Sequence, residues 1–218
     1  GERVAYAPYQ GAYADYAVVP ADRLVPLPSD VTTMQAAAAL LQGMTAHFLT
    51  HSAYPVQADD RVLIHAAAGG TGLLLVQLAK RRGAQVFGTV STPAKAALAR
   101  AVGADAVIVY TQDDFAAAIS RLTGGAGVHV VYDSVGQTTF ARSLRCLRRR
   151  GHLVLFGEAS GPVPPLPVAE LNARGSLFLT YPTLADYTAE RAELLARASA
   201  VLGWIASGAL RRVVSQRG

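Results

Sequence analysis

The sequence predicts a doubly wound α/β domain, a parallel sheet with helices on both faces. Three observations predict it. From residue 61 onward, short apolar runs alternate with helical stretches. Several of these runs, such as Val62-Leu63-Ile64 and Val128-His129-Val130-Val131, are continuous rather than alternating, as strands buried on both faces require. The first of them leads into a glycine-rich loop, Gly69-Gly70-Thr71-Gly72, which opens a helix.

Residues 1–30 mix aromatic and β-branched residues with Gly and Pro, so antiparallel β pieces are expected at 11–19 and 24–28. Ser29 and Asp30 precede an Ala/Leu-rich stretch, 32–52, that reads as a helix. Strands are then expected at 62–66, 85–90, 106–110, 128–133, 151–156 and 176–180. Helices are expected between them at 72–82, 93–102, 113–122 and 138–149. A Pro-rich connection at 161–167 is followed by a short helix, and a last helix covers about 185–207. Right-handed crossovers between so many parallel strands favour a Rossmann-like arrangement.

Of the 218 residues, 51% are hydrophobic and 16% charged, which excludes bulk disorder. No stretch is long and apolar enough to predict a membrane span. The one cysteine, Cys146, excludes internal disulfides and any zinc site made of several thiolates, and it fits a reducing, cytoplasmic setting. The net charge is +5, but the basic residues are spread along the chain and the only dense run is Arg148-Arg149-Arg150. An ordinary basic surface or a local site for an anionic cofactor is favoured over a nucleic-acid partner.

The loop His65-Ala66-Ala67-Ala68-Gly69-Gly70-Thr71-Gly72-Leu73 stands where a dinucleotide loop should. Read as G-x-G-x-x-G, the first glycine is replaced by Ala67, while Gly69 and Gly72 keep the other two places. Gly69 lets the backbone approach a pyrophosphate, and Gly72 lets the helix pack closely on the strand. The free N–H groups and positive dipole end of that helix suit phosphate. A carboxylate at the end of the second strand would bind the ribose hydroxyls of NAD. The chain has Ser91-Thr92-Pro93-Ala94-Lys95 there, and no Asp or Glu between Asp60 and Asp105. Lys95 with the hydroxyls of Ser91 and Thr92 suits a 2′-phosphate, so NADPH is expected rather than NADH. Ser91 and Thr92 before Pro93 also fit an ordinary helix start.

At these residues the sequence resembles the quinone oxidoreductase (zeta-crystallin-like) branch of the medium-chain dehydrogenase/reductase family. The stretches that carry the resemblance include Leu41-Gln42-Gly43-Met44-Thr45-Ala46, the loop above, Gly88-Thr89-Val90, Val131-Tyr132-Asp133-Ser134-Val135-Gly136, Phe156-Gly157 and Arg174-Gly175-Ser176. The resemblance implies NADPH-dependent reduction of quinones or α,β-unsaturated carbonyls, no zinc, and dimers or tetramers. It implies pyrophosphate contacts at Gly70 and Thr71, and 2′-phosphate positions at Ser91, Lys95 and Tyr110. It places Ser134 beside the cofactor, and Phe156, Gly157, Pro182 and Thr183 on the nicotinamide side. It sets Thr45 and Phe48 near the nicotinamide and substrate cleft.

The resemblance also implies a domain plan. Residues 1–30 are expected to be a remnant of a GroES-like β catalytic domain whose N-terminal part is absent. Residues 31–185 are the NADP-binding Rossmann domain. Residues 186–218 return toward the catalytic domain, whose C-terminal part is also absent, so the chain alone is expected to bind NADPH but to reduce quinones feebly. The 176–180 strand, last in the sheet, is expected to pair with its copy in a homodimer.

Other patterns carry less. Hydride transfer needs no protein nucleophile, because the cofactor supplies the chemistry. No G-x-S-x-G elbow accompanies Asp133-Ser134, which argues against a hydrolase. His47 and His51 have zinc-compatible spacing but no H-E-x-x-H glutamate between them. His65 is expected to be packed or hydrogen-bonded, Cys146 to be a mid-helix core thiol, and Tyr181 and Tyr187 either to stack near a nicotinamide or simply to pack. An enoyl or 2-alkenal reductase, or a non-catalytic NADPH- or RNA-binding protein, is the alternative reading.

Overall fold

The fold is seen in a computed structural model that describes residues 1–7 and 9–211. In chain order the elements begin with β1 (Val4–Ala5), β2 (Val25–Pro26) and α1 (Thr33–Phe48). The alternating region follows as β3 (Arg61–Ile64), α2 (Gly70–Arg81), β4 (Gln85–Val90), α3 (Pro93–Ala101) and β5 (Ala106–Val109). It continues through α4 (Phe115–Leu122), β6 (Val128–Asp133), α5 (Phe140–Cys146), β7 (Leu147–Leu155), α6 (Val168–Ala173) and β8 (Phe178–Thr180), and the last helix is α7 (Arg191–Ala206). The chain divides into two compact units, Leu49–Pro182 and the pair of segments Gly1–Phe48 and Thr183–Gly218. The division therefore falls after α1 and at Pro182, whereas the sequence placed boundaries at 30/31 and 185/186. Part of the expected 186–218 segment, residues 212–218, lies outside the described residues.

The larger unit is a six-stranded parallel sheet in the order β5-β4-β3-β6-β7-β8. Its central strands explain the continuous apolar runs. Val62, Leu63 and Ile64 pair with Val130, Val131 and Tyr132, and none of the six is exposed to solvent. One face of the sheet is sealed by α4 and α5, whose Phe115, Ile119, Phe140 and Leu144 pack on Leu63, Phe87 and Val131. The order in which strands are added reverses at the β3/β6 boundary: β4 and β5 are laid down on one side of β3, and β6 returns to the other. Such a reversal opens a crevice at the carboxyl ends of the two strands.

Three expectations need correcting. The stretch 11–19 is not a strand; β1 pairs with β2 instead, and Tyr13, Tyr16 and Val18 stand in solvent at 110%, 94% and 102% exposure. An isolated extended segment leaves its N–H and C=O groups unpaired, so alternating aromatics alone do not make it a strand. The helix expected at 138–149 stops at Cys146, and β7 starts at Leu147, which is paired with Val128 across a bulge. Two glycines permit this: a Cβ on Gly127 would sit 2.7 Å from the Arg148 nitrogen, and one on Gly151 would sit 2.9 Å from the Arg148 carbonyl oxygen. The run Arg148–Arg150 is therefore strand, not helix, and Cys146 is a buried thiol at a helix end rather than mid-helix. Burial pushes that thiol up to about 12.

The smaller unit is built on two long helices. α1 begins at a capping box, in which Thr32 N donates to Gln35 Oε1 at 2.9 Å and Gln35 N donates to Thr32 Oγ1 at 3.2 Å. At its far end the chain continues into one π turn, Leu49–Ala53. α1 and α7 pack where Gly43 faces Val201, and a Cβ at Gly43 would come within 2.4 Å of Val201 Cγ1. One turn on, His47 stacks on Trp204 at 5.7 Å and Arg197 donates to His47 Nδ1 at 3.2 Å and to the Tyr187 carbonyl at 2.8 Å.

The α1/α7 contact predicts a pair of opposite outcomes. Val201 is β-branched and fully buried, so it cannot swing away, and Gly43→Ala should cost about 1–3 kcal/mol. A Cβ on Gly203, on the solvent side of α7, meets nothing within 4 Å, so Gly203→Ala should add about 0.5–1 kcal/mol. Urea unfolding of both variants beside the parent chain checks the signs.

Candidate functional site

The site grows out of the β3–α2 connection. After His65 the backbone turns through Ala66, which adopts a left-handed φ of 50°. Ala67 N then donates to the Thr89 carbonyl at 3.0 Å, which fastens the loop to β4. Gly69 is the N-cap of α2, and no side chain caps the helix. The first turn has no acidic residue and the last carries Lys80 and Arg81, so the dipole is complemented at its far end and left open at the loop. Gly72 serves the loop more than the strand: a Cβ there would lie 2.2 Å from the Ala66 carbonyl oxygen and 2.9 Å from Ala67 Cα. Helix and loop close on each other only with glycine at that place.

Ala67, in the first glycine's place, has its own compensation. A Cβ on Gly88 of β4 would come 2.7 Å from the Ala67 methyl, so Gly88 provides the room that Ala67 occupies.

Beside the loop lies a cavity of about 160 Å³ lined by Ala66, Ala68, Gly69, Val90, Ser91, Lys95, Tyr110 and Val135. Four residues singled out from the sequence, Gly69, Ser91, Lys95 and Tyr110, meet here. Lys95 Nζ donates to Ser91 Oγ at 3.2 Å, so ammonium and hydroxyl converge at the edge of the cavity. Thr92 does not line this cavity. Its hydroxyl caps α3 by accepting from Lys95 N at 3.3 Å, and Pro93 occupies the first turn. Thr111 Oγ1 donates to the Ser91 carbonyl at 3.0 Å and steadies the strand end. Among the described residues, no carboxylate lines this cavity. Ala66, Ala68, Val90 and Val135 were not foreseen, because small apolar residues carry no chemical signal in a sequence.

Gly70, Thr71 and Gly72 form the first turn of α2. Ser134, Phe156 and Gly157 follow the ends of β6 and β7, and are neighbours: Phe156 N donates to the Asp133 carbonyl at 2.8 Å, and a Cβ on Gly157 would stand 3.0 Å from the Ser134 carbonyl oxygen. Pro182 is buried at the end of the larger unit. In the smaller unit, Thr45 Oγ1 donates to the Leu41 carbonyl at 2.8 Å, and the Thr183 hydroxyl accepts from Ala185 N at 3.1 Å. Phe48 is 1% exposed and stacks on Tyr187 at 4.4 Å, so its ring is spent on packing and Tyr187 packs with it. Tyr181 is exposed.

Under the loop lies a buried polar chain that the sequence did not announce. His65 Nδ1 is 2.8 Å from Thr89 Oγ1, and His65 Nε2 is 2.9 Å from Ser143 Oγ. Ser143 Oγ lies 2.9 Å from Asp133 Oδ2, while Asp133 Oδ1 accepts from Val135 N, Gly136 N and Thr139 Oγ1 at 2.8–3.1 Å. Burial lowers the His65 pKa from the ordinary 6.5; the Asp133 charge works against the shift and Arg142 adds to it.

A helix N-terminus open to anions, a Lys–Ser pair at the second strand end and a crevice at a topological switch point together define a dinucleotide-binding domain with room for an extra phosphate. The residues fit NADPH: the uncapped start of α2 would suit a pyrophosphate, and Lys95 with Ser91 would suit a 2′-phosphate. Comparison with known proteins agrees. The zinc-binding dehydrogenase family profile matches residues 70–197. Quinone oxidoreductase 1 of Escherichia coli is 42% identical over 218 residues, all of this chain and 67% of that protein. The 2-haloacrylate reductase of a Burkholderia species is 43% identical over 220 residues, 99% of this chain and 66% of that protein. The E. coli quinone oxidoreductase solved with NADPH superposes with a TM-score of 0.95, covering 99% of this chain and 66% of that one at 42% identity. A mycobacterial protein solved with NADPH gives a TM-score of 0.94 at 49% identity, over 98% of this chain and 66% of that one. The chain belongs to the medium-chain dehydrogenase/reductase family, in its zinc-independent quinone oxidoreductase branch. It spans about two thirds of the length of these relatives. Among the described residues, no three His, Cys, Asp or Glu side chains are grouped to hold a metal ion.

The depressed His65 gives a pH dependence with a definite sign. Below the ordinary value of 6.5, the unfolded chain takes up a proton that folded His65 resists. Stability should therefore fall as pH drops from there toward the lowered folded value, and be indifferent to this group above 6.5. Urea midpoints at about pH 7.5 and about pH 5.5 should lie closer together in His65→Phe than in the parent chain. His129 and His152, also lowered by burial, remain in both proteins and cancel in the comparison.

Proposed function

We propose that this chain is the NADPH-binding part of a quinone oxidoreductase, one that passes hydride from NADPH to a quinone or a related conjugated carbonyl. The observation that carries the reading is the corner formed by Ser91, Lys95 and Tyr110, where an ammonium group and two hydroxyl-bearing residues line a cavity without a carboxylate. NADPH, when bound, supplies the hydride. The chain's residues bind and orient it: the α2 N-terminus and Gly69 take the pyrophosphate, Lys95 and Ser91 the 2′-phosphate, and Ser134, Phe156 and Gly157 flank the nicotinamide end. The family resemblance also assigns Thr45, Pro182 and Thr183 to the acceptor side. In this reading residues 1–30 belong with a GroES-like catalytic domain, and the sheet unit Leu49–Pro182 is the body of the cofactor domain expected at 31–185. The protein is cytoplasmic in this reading; no helix among the described residues is long and apolar enough to cross a membrane.

The second reading, a reductase of activated alkenes, draws on the 43% identity to the 2-haloacrylate reductase. Quinone and enone both need only a flat slot above the nicotinamide, so rates with a benzoquinone, a 2-alkenal and a 2-haloacrylate, each with NADPH, decide between them. Quinone should be reduced fastest; an alkene preferred by more than about tenfold would give the second reading the lead.

The cofactor preference follows from the cavity. Dissociation constants for NADPH and NADH should differ by at least about tenfold, and Lys95→Ala should erase most of the difference. Fluorescence titration of both cofactors measures this, and equal affinities in the parent chain would refute it.

The same reading includes a homodimer. β8 is the outer strand of the sheet, and Phe178 and Leu179 on it are 54% and 38% exposed. A bare apolar edge is suited to pairing with its copy across a two-fold axis. Sedimentation over a concentration series should show a dimer, and Leu179→Lys should shift it toward monomer. A parent chain monomeric at every concentration would refute the pairing.

A further inference from the structure

We propose that His65 is a positioning residue for the dinucleotide: as its Nε2–H tautomer it ties the phosphate loop, the end of β4 and the turn after β6 into one wall. The inference rests on the NADPH reading above and goes beyond it, since His65 is buried and touches neither the cavity nor solvent.

The direction of each hydrogen bond fixes the tautomer. Asp133 Oδ1 already accepts from two backbone N–H groups and the Thr139 hydroxyl, so this carboxylate is an acceptor. The Ser143 hydroxyl has one proton and two acceptors in reach, Asp133 Oδ2 at 2.9 Å and the Thr139 carbonyl at 3.0 Å. It therefore donates toward one of them and offers a lone pair to His65, so Nε2 must carry the hydrogen. In a neutral ring Nδ1 is then bare, and it accepts from the Thr89 hydroxyl at 2.8 Å. Phe115 meets the ring edge-on at 4.8 Å, and the Arg142 guanidinium lies over the Phe115 ring at 4.6 Å. The charged groups around the ring are Asp133, at 3.9 Å from Nε2, and Arg142, which is itself paired with Asp114 at 3.5 Å.

Each end of this chain reaches a different wall of the cavity. His65 immediately precedes Ala66, and the Thr89 carbonyl holds Ala67 N. Thr89 precedes Val90 and Ser91, which line the cavity beside Lys95. Asp133 holds the amides of Val135, another lining residue, and of Gly136. The ring thus sets the distance between the pyrophosphate loop, the 2′-phosphate corner and the turn that leads to Ser134. Such a link keeps groups from three strands in one geometry before the cofactor arrives, which is what preorganised binding requires.

The test compares the 218-residue chain with His65→Phe, Ser143→Ala, Thr89→Val and the His65→Phe/Ser143→Ala double variant. The histidine ¹⁵N signals that vanish in His65→Phe should, in the parent, be those of a neutral ring with its hydrogen on Nε2. NADPH should bind about tenfold more weakly to each single variant, and the double should lose little more than His65→Phe alone, since both break one connection. Amide exchange without cofactor should quicken at Ala67, Val135 and Gly136 while α3 keeps its protection; a merely packing role would not confine the change to those amides. Ser143→Ala and Thr89→Val, each the loss of a single hydroxyl, serve if His65→Phe does not fold. A hydrogen on Nδ1, or unchanged exchange together with unchanged NADPH affinity in folded variants, would overturn the assignment. A parent chain that fails to bind NADPH would defeat the cofactor reading, and the spectra and exchange would still decide whether His65 ties the wall together.

Discussion

A parallel ladder cannot be closed by a tight turn, and the rest of this structure follows from that constraint. Each strand must be followed by a crossing that carries the chain back to the starting edge, so every strand end of one polarity opens into a loop before a helix. β3, β4, β5 and β6 therefore deliver their carboxyl ends to one rim. The reversal between β3 and β6 leaves that rim unfilled at its middle, where α2 starts. The anion site is placed there by topology; the residues only tune it. They do so mostly by removal: a side chain missing at Gly72, another missing at Gly88, and no carboxylate at the end of β4.

What could be read in the sequence follows the same division. β4 and β6 fall where their apolar runs place them, 85–90 and 128–133, because burial on both faces makes most of their residues apolar. The α5/β7 boundary was not legible, since Leu147-Arg148-Arg149-Arg150 has good helix formers and only the pairing of Leu147 with Val128 makes it strand. The opposite error occurred at 11–19, where strand-forming residues lack a partner strand among the described residues. At the site, Ser91 and Lys95 were legible because they are local to one turn. That His65 would be packed or hydrogen-bonded was legible, but its partners Thr89, Ser143 and, through Ser143, Asp133 were not, because their meaning is pairwise across up to 78 positions. One sign was available: His65, Thr89 and Asp133 are polar residues at or just past the ends of otherwise apolar strands, and buried polar groups need partners.

The two long helices of the smaller unit are held by a different economy. Arg197 is 6% exposed, yet its guanidinium reaches the Tyr187 carbonyl, His47 and Glu193. A buried arginine is tolerable only when its donors are occupied, and a planar fork with five N–H groups can serve several partners at once. α1 and α7 are thus joined by small-residue contact at Gly43 and by a polar clasp one turn away, whereas the larger unit rests mainly on the apolar core of its sheet.

Ala67 and Gly88 share one methyl group between them. Their neighbours leave space for a single carbon, and it is on residue 67 in this chain. A lineage could carry the reverse arrangement, with glycine in the loop and alanine on the strand, but neither can reach the other by one change without crowding the site or first emptying it. Geometry therefore couples the two positions. A substitution harmless in one descendant is damaging in another, and the order in which changes arrive decides which sequences remain open to this fold.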